Sequence, residues 1–105
     1  MAIRLGTHTS FLRYLYDAEV RQRKVLIQTA TNQQMDILSE IALNVYRGSL
    51  TLSPHHIRKL RPFQLNIRAL SSRAIGYRRK KNILVRHPIL ISYLLKPVLS
   101  LLDEQ

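Results

Sequence analysis

Apolar residues recur along this chain at helical spacing in five stretches, and no stretch alternates for long enough to read as a strand. The first covers 10–29, with Ser10 placed to cap it and Phe11, Tyr14, Leu15, Ala18 and Val25 on one side. The second covers 32–47. Thr31 and Gln34 have capping-box spacing, Leu38, Ile41, Ala42 and Val45 form an apolar stripe, and Gly48 stands where a left-handed terminator belongs. Asp36 and Glu40 early in this stretch and Arg47 at its end suit the helix dipole. A third stretch opens at Ser53-Pro54, an N-cap followed by proline at the first helical position. Pro62 lies inside it, which predicts a kink or two short helices, 54–60 and 62–71. Leu60, Phe63, Ile67 and Leu70 then share one side, and Arg58, Arg61 and Arg68 the opposite one. The fourth helix is expected over 77–86 and the fifth over 89–102, broken or bent at Pro97.

This pattern predicts an all-α fold: one domain over 1–105, built as a small bundle of four to five helices. Residues 89–102 are apolar nearly all round, through Ile89, Leu90, Ile91, Leu94, Leu95, Val98, Leu99, Leu101 and Leu102. Three fates are open to such a helix. It packs on the core, pairs with a second copy in a homo-oligomer, or lies on a membrane surface with Lys96 reaching out to the headgroups. The longest run free of charge and proline, Ile89–Leu95, is far short of the ~20 residues needed to span a bilayer. The first twenty residues carry no uninterrupted apolar segment of signal-peptide length, so a secretory signal is not expected.

Charge changes the picture more than length does. Lys and Arg number 17 against 6 Asp and Glu, a formal net charge of +11. The halves differ, with net +2 over 1–52 and net +9 over 53–105. Self-repulsion on that scale opposes compaction unless a polyanion relieves it, so nucleic acid or an acidic surface is the expected partner. The densest run is Arg78, Arg79, Lys80 and Lys81, directly after Gly76-Tyr77. Four successive helical residues sweep about 300°, so the four cannot all face one flat surface. They also fall in a first turn, where the dipole disfavours cations. A surrounding phosphate backbone would offset that cost, and Arg73 and Arg86 extend the basic region on either side. Two other readings stay open for the run: a nuclear import signal, or a solvated surface that keeps a basic protein soluble. Tyr77 alone does not make a stacking platform, so backbone contact without strong sequence preference is expected.

Catalytic chemistry has little to work with. The chain has no cysteine, so a thiol nucleophile and a disulfide framework are excluded. Asp17 and Glu19 do not share a helix face, and Asp36 and Glu40 read as ordinary dipole partners. His55 and His56 are adjacent, His8 and His87 stand alone, and the three glycines are isolated, so neither a metal site nor a phosphate-cradling loop is expected. No enzyme activity, cofactor or metal is expected.

The order of segments, from SEIALNVYRGSLTLSPHHIRKLRPFQLNIRALSS through RRKKNILVR to HPILISYLLKPVLSLL, resembles small basic proteins encoded by adintovirus and Maverick/Polinton-type DNA elements. Those are themselves compared with the adenovirus core peptide precursor, in which a cationic DNA-condensing part precedes an apolar tail. The resemblance covers about residues 38–102 and rests on segment order, on L-S-P at 52–54 and on the basic-to-apolar junction. Arg86-His87-Pro88 stands where such proteins tend to place a Gly-Gly turn. The resemblance implies a packaging role in a virion or host nucleus, with DNA contact through Arg78, Arg79, Lys80 and Lys81 and further contact through Arg58, Lys59 and Arg61. Taken with the charge pattern, Arg68, Arg73 and Arg86 complete the expected interface with double-stranded DNA. The alternatives are a structural subunit of a virion or ribonucleoprotein particle, and a membrane-active protein acting through 89–102.

Overall fold

The computed structural model describes residues 8–103, the Asp103 side chain excepted. These residues form helices and no strand: α1 (Thr9–Asp17), α2 (Val20–Gln28), α3 (Asn32–Tyr46), α4 (Pro54–Leu60), α5 (Gln64–Ser71), α6 (Tyr77–Arg86) and α7 (Pro88–Asp103). A 3-10 turn, Arg61–Phe63, joins α4 to α5, so the described residues hold six helices where four to five were expected.

The additional helix comes from a break in the stretch expected to run over 10–29. Ala18 is extended, and Glu19 restarts the chain as the N-cap of α2, its carboxylate and the Gln22 side chain forming a reciprocal capping box. Ser10 does not cap α1, because it lies inside a helix that begins at Thr9. The expected stripe is also redrawn. Leu12, Leu15 and Ile27 are buried, whereas Tyr14 is 72% exposed and Val25 57% exposed. Turning the chain at Ala18 lets two short helices aim different faces at one core, which a straight helix cannot do.

Arg23 holds this corner and is itself buried. Its Nε donates to the Leu15 carbonyl at 3.0 Å, Nη2 to Tyr16 at 2.6 Å and Nη1 to Pro88 at 2.9 Å. The first two acceptors belong to the last turn of α1, whose carbonyls have no donor of their own and carry the negative end of the dipole. Burial pulls the Arg23 pKa down and nearby Tyr16 acts the other way, yet a guanidinium remains charged at neutral pH.

The central helix, α3, forms as its sequence requires. Thr31 Oγ1 accepts from the Gln34 N–H while the Gln34 side chain accepts from the Thr31 N–H. At the other end Gly48 adopts φ +70°, and two bonds close the turn: Gly48 N–H to the Val45 carbonyl and Ser49 N–H to that of Asn44. Leu38, Ile41, Ala42 and Val45 are all buried, with Met35 and Ile37 beside them. α3 packs against α5, α6 and α7.

Ser53 caps α4 by accepting from the His56 N–H at 3.1 Å, with Pro54 at the first position. At Pro62 the stretch divides into two short α-helical segments, α4 and α5, which the 3-10 turn joins, close to the expected 54–60 and 62–71. The 3-10 turn absorbs its missing N–H, and the burial pattern runs through it in register. Leu60, Ile67 and Leu70 are buried and Phe63 packs on the core, while Arg58, Arg61 and Arg68 face solvent.

Proline does not break α7, and here the compensation is visible. Pro97 has no N–H to donate to the Tyr93 carbonyl four residues earlier. His56 supplies the missing donor: its Nε2 lies 2.7 Å from that oxygen, which can only accept. The helix continues through Pro97 to Asp103. It packs on the core of its own chain, against α1, α2, α3, α4 and α6, burying Leu90, Ile91, Leu94, Leu95, Val98 and Leu99.

Candidate nucleic-acid interface

α6 decides what the four-cation run presents. Gly76 is its N-cap, and Leu84 with the half-buried Ile83 marks its inner side. Lys80, one turn before Leu84, lies on that same side and is only 5% exposed. Its Nζ donates to Ser39 Oγ on α3 at 3.0 Å. Burial pulls the Lys80 pKa down, and the carboxylate of Asp36 works against that shift. Lys81 is half-buried, and its Nζ donates to the carbonyls of Gln28 at 3.2 Å and Ala30 at 2.8 Å, at the C-terminal end of α2. An ammonium there satisfies orphan carbonyls and meets the negative end of a dipole. Half of the run is thus turned inward and engaged by the fold.

The other half faces out. Arg78 and Arg79 are exposed, and helical phase places them on one face with Asn82 and Arg86, also exposed. Asn82 had no assigned role in the sequence reading, although fixing the helix phase on Leu84 puts it between the arginines. Arg21 and Lys24, exposed on α2, were likewise passed over, and only tertiary packing brings α2 beside α6.

Tertiary structure also supplies the acid that the local sequence lacks. The Tyr77 hydroxyl donates to Asp36 Oδ1 at 2.8 Å, across 41 residues of chain, and this bond is the main reason the phenol pKa is raised. Asp36 and Glu40 line a cleft of about 660 Å³ with Arg73, Tyr77 and Lys80. Arg73, though exposed, therefore stands at a cleft that holds carboxylates rather than on the α6 face.

The second basic face belongs to α4 and α5. Arg58, Arg61 and Arg68 are exposed there and point away from the core. Lys59 is exposed too, with its Nζ 5.6 Å from the centre of the Tyr93 ring, a cation–π distance. His56 and Phe63 pack around Tyr93, and His87 stands edge-on to Phe63. α5 packs on α6, so the two basic faces belong to neighbouring helices. No Asp or Glu occurs between Ile41 and Leu102, so neither face has an acidic residue on its own helix.

Among the described residues no group of three or more His, Cys, Asp or Glu could hold a metal ion. No single helix among them is long and apolar enough to cross a membrane, and α6 and α7 meet at 99°. Comparison with family models, with curated proteins and with solved structures finds no match for this chain.

Proposed function

We propose that this protein is a non-enzymatic nucleic-acid-binding protein that grips the phosphate backbone of double-stranded DNA through its two arginine faces. The observation that carries this reading is the disposition of charge. Arg58, Arg61, Arg68, Arg78, Arg79 and Arg86 are all exposed, on adjoining helices without a carboxylate. A guanidinium surface left unbalanced in this way gains free energy by releasing counterions from a polyanion. The resemblance of 38–102 to virion core-like proteins supports a role in genome packaging or condensation, in a virion or host nucleus.

The test is fluorescence anisotropy on a random DNA duplex across a salt series. With about four to six phosphates engaged, log affinity falls with log salt at a slope of roughly −4 to −5. The variant R78A/R79A/R86A flattens that slope by about 2 to 3 and leaves the thermal melt unchanged, because all three side chains lie outside the core. Unchanged affinity and slope in the variant would remove α6 from the interface.

A structural role in a virion or ribonucleoprotein particle is the second reading. It draws on exposed apolar side chains, Tyr46, Ile57 and Leu65, the last 79% exposed. Strong self-association in sedimentation, together with weak DNA binding, would put assembly first. Membrane activity through 89–102 requires α7 to leave the core, and anionic vesicles are expected to stay intact in a leakage assay.

A further inference from the structure

Resting on the nucleic-acid reading above, we propose that α6 docks in the major groove of DNA, and that Arg78, Arg79, Asn82 and Arg86 touch the N7 edges of purines as well as phosphates.

The chemistry of the outward face is the first ground. The fold takes the two lysines of the run for itself, Lys80 on Ser39 and Lys81 on the carbonyls of Gln28 and Ala30. What remains outside is three guanidiniums and a carboxamide. A compact ammonium serves a phosphate well, but it has no planar pair of donors. Arginine matches the O6 and N7 acceptors of guanine, and asparagine matches N6 and N7 of adenine, both in the major groove. A carboxamide at the centre of the face can donate to a phosphate, but it is also the side chain whose donor and acceptor together match an adenine edge.

Spacing and support agree with this. Arg78, Asn82 and Arg86 follow at four-residue intervals and Arg79 fills the gap, making one ridge about 12 Å long, the length of roughly three to four base steps. Three polar pins hold the helix behind the ridge: Tyr77 on Asp36, Lys80 on Ser39 and Lys81 on the end of α2. A helix fixed in this way presents its backbone without a further ordering cost, so that only side-chain rotamers remain to be ordered on binding. The helices packed beside it, α2 and α5, expose Arg21, Lys24 and Arg68. These are available to the phosphates that border a groove about 12 Å wide.

The experiment uses the full chain and two duplexes of one sequence, one natural and one with every purine replaced by its 7-deaza analogue. The substitution deletes N7 from the major groove and leaves phosphate charge untouched. Wild-type protein is expected to bind the deaza duplex about tenfold more weakly. The variant R78K/R79K/N82A/R86K keeps the charge and the salt slope but removes the forked donors and the carboxamide, and is expected to lose most of that tenfold difference. Netropsin, which fills the minor groove, is expected to displace neither. Equal wild-type affinity for the two duplexes overturns the groove assignment and leaves phosphate binding standing. A full tenfold deaza penalty in that variant assigns base contact to some other element and overturns it as well. Failure to bind either duplex removes the nucleic-acid reading itself.

Discussion

His56→Ala tests whether a side chain from α4 repairs the gap that Pro97 leaves in α7. In the wild type, Nε2 of His56 lies 2.7 Å from the Tyr93 carbonyl, the acceptor Pro97 cannot serve. Leaving a buried acceptor without a partner costs about 1–3 kcal/mol. This one is part-buried beside an open cleft lined by Ser53, His56, Tyr93 and Pro97, so water recovers some of the loss and about 1–1.5 kcal/mol is expected. The edge-to-face contact of the two rings, 6.2 Å between centroids, adds about 0.5 kcal/mol. The sum, near 1.5–2 kcal/mol, lowers Tm by about 6–12 °C in a domain of this size. Pro97→Ala separates the two contributions, because alanine at 97 brings its own N–H to the Tyr93 carbonyl. In that background His56→Ala should lose only the ring contact, about 0.5 kcal/mol, leaving a coupling near 1 kcal/mol. The unfolded-state effect of removing a proline cancels within the cycle. Urea unfolding of the four proteins measures the coupling directly. Equal costs of His56→Ala in both backgrounds would refute the repair, and His56 would then be a packing residue only.

Arg23→Leu strips donors from the carbonyls of Leu15, Tyr16 and Pro88 at once and is expected to cost about 3 kcal/mol, with Arg23→Lys recovering only part of it because an ammonium lacks the fork. Thermal melts check both, and a loss under about 1 kcal/mol would show that water takes over the corner. Lys80 makes stability depend on pH with a defined sign. Its folded pKa is lowered by burial, so the unfolded chain holds the proton to higher pH and stability rises between neutrality and the ordinary value of 10.5. Tyr77, whose pKa is raised through its bond to Asp36, pulls the opposite way at the alkaline end, so the Lys80 share is read as the difference between wild type and Lys80→Met. That difference, from urea midpoints at about pH 7 and about pH 9.5, should move in favour of the wild type at the higher pH, and a flat difference would mean that Lys80 titrates as if it were exposed.

Helix identity, caps and faces are set by neighbours in sequence, and they are legible from the chain alone. The Thr31–Gln34 box, the Gly48 terminator, the Ser53-Pro54 start and the Arg58–Arg61–Arg68 face all depend on residues a few positions apart, where spacing dictates geometry. The break at Ala18 carried a local signal too, in Glu19 and Gln22, but the apolar periodicity running across it masked that box. Where each charge is spent is a different matter. The sequence alone shows 17 basic side chains and a dense run at 78–81. It does not show that Arg23, Lys80 and Lys81 serve carbonyls and a hydroxyl brought from 7 to 65 residues away. Nor does it show that a histidine on α4 replaces the hydrogen bond missing from α7. Those partners exist only once the helices are packed, because an unpaired carbonyl or a buried ammonium is costly only where water has been excluded. Tertiary structure therefore reduced a run of four cations to two outward arginines, which helical phase joins to Asn82 and to the Arg86 already expected there.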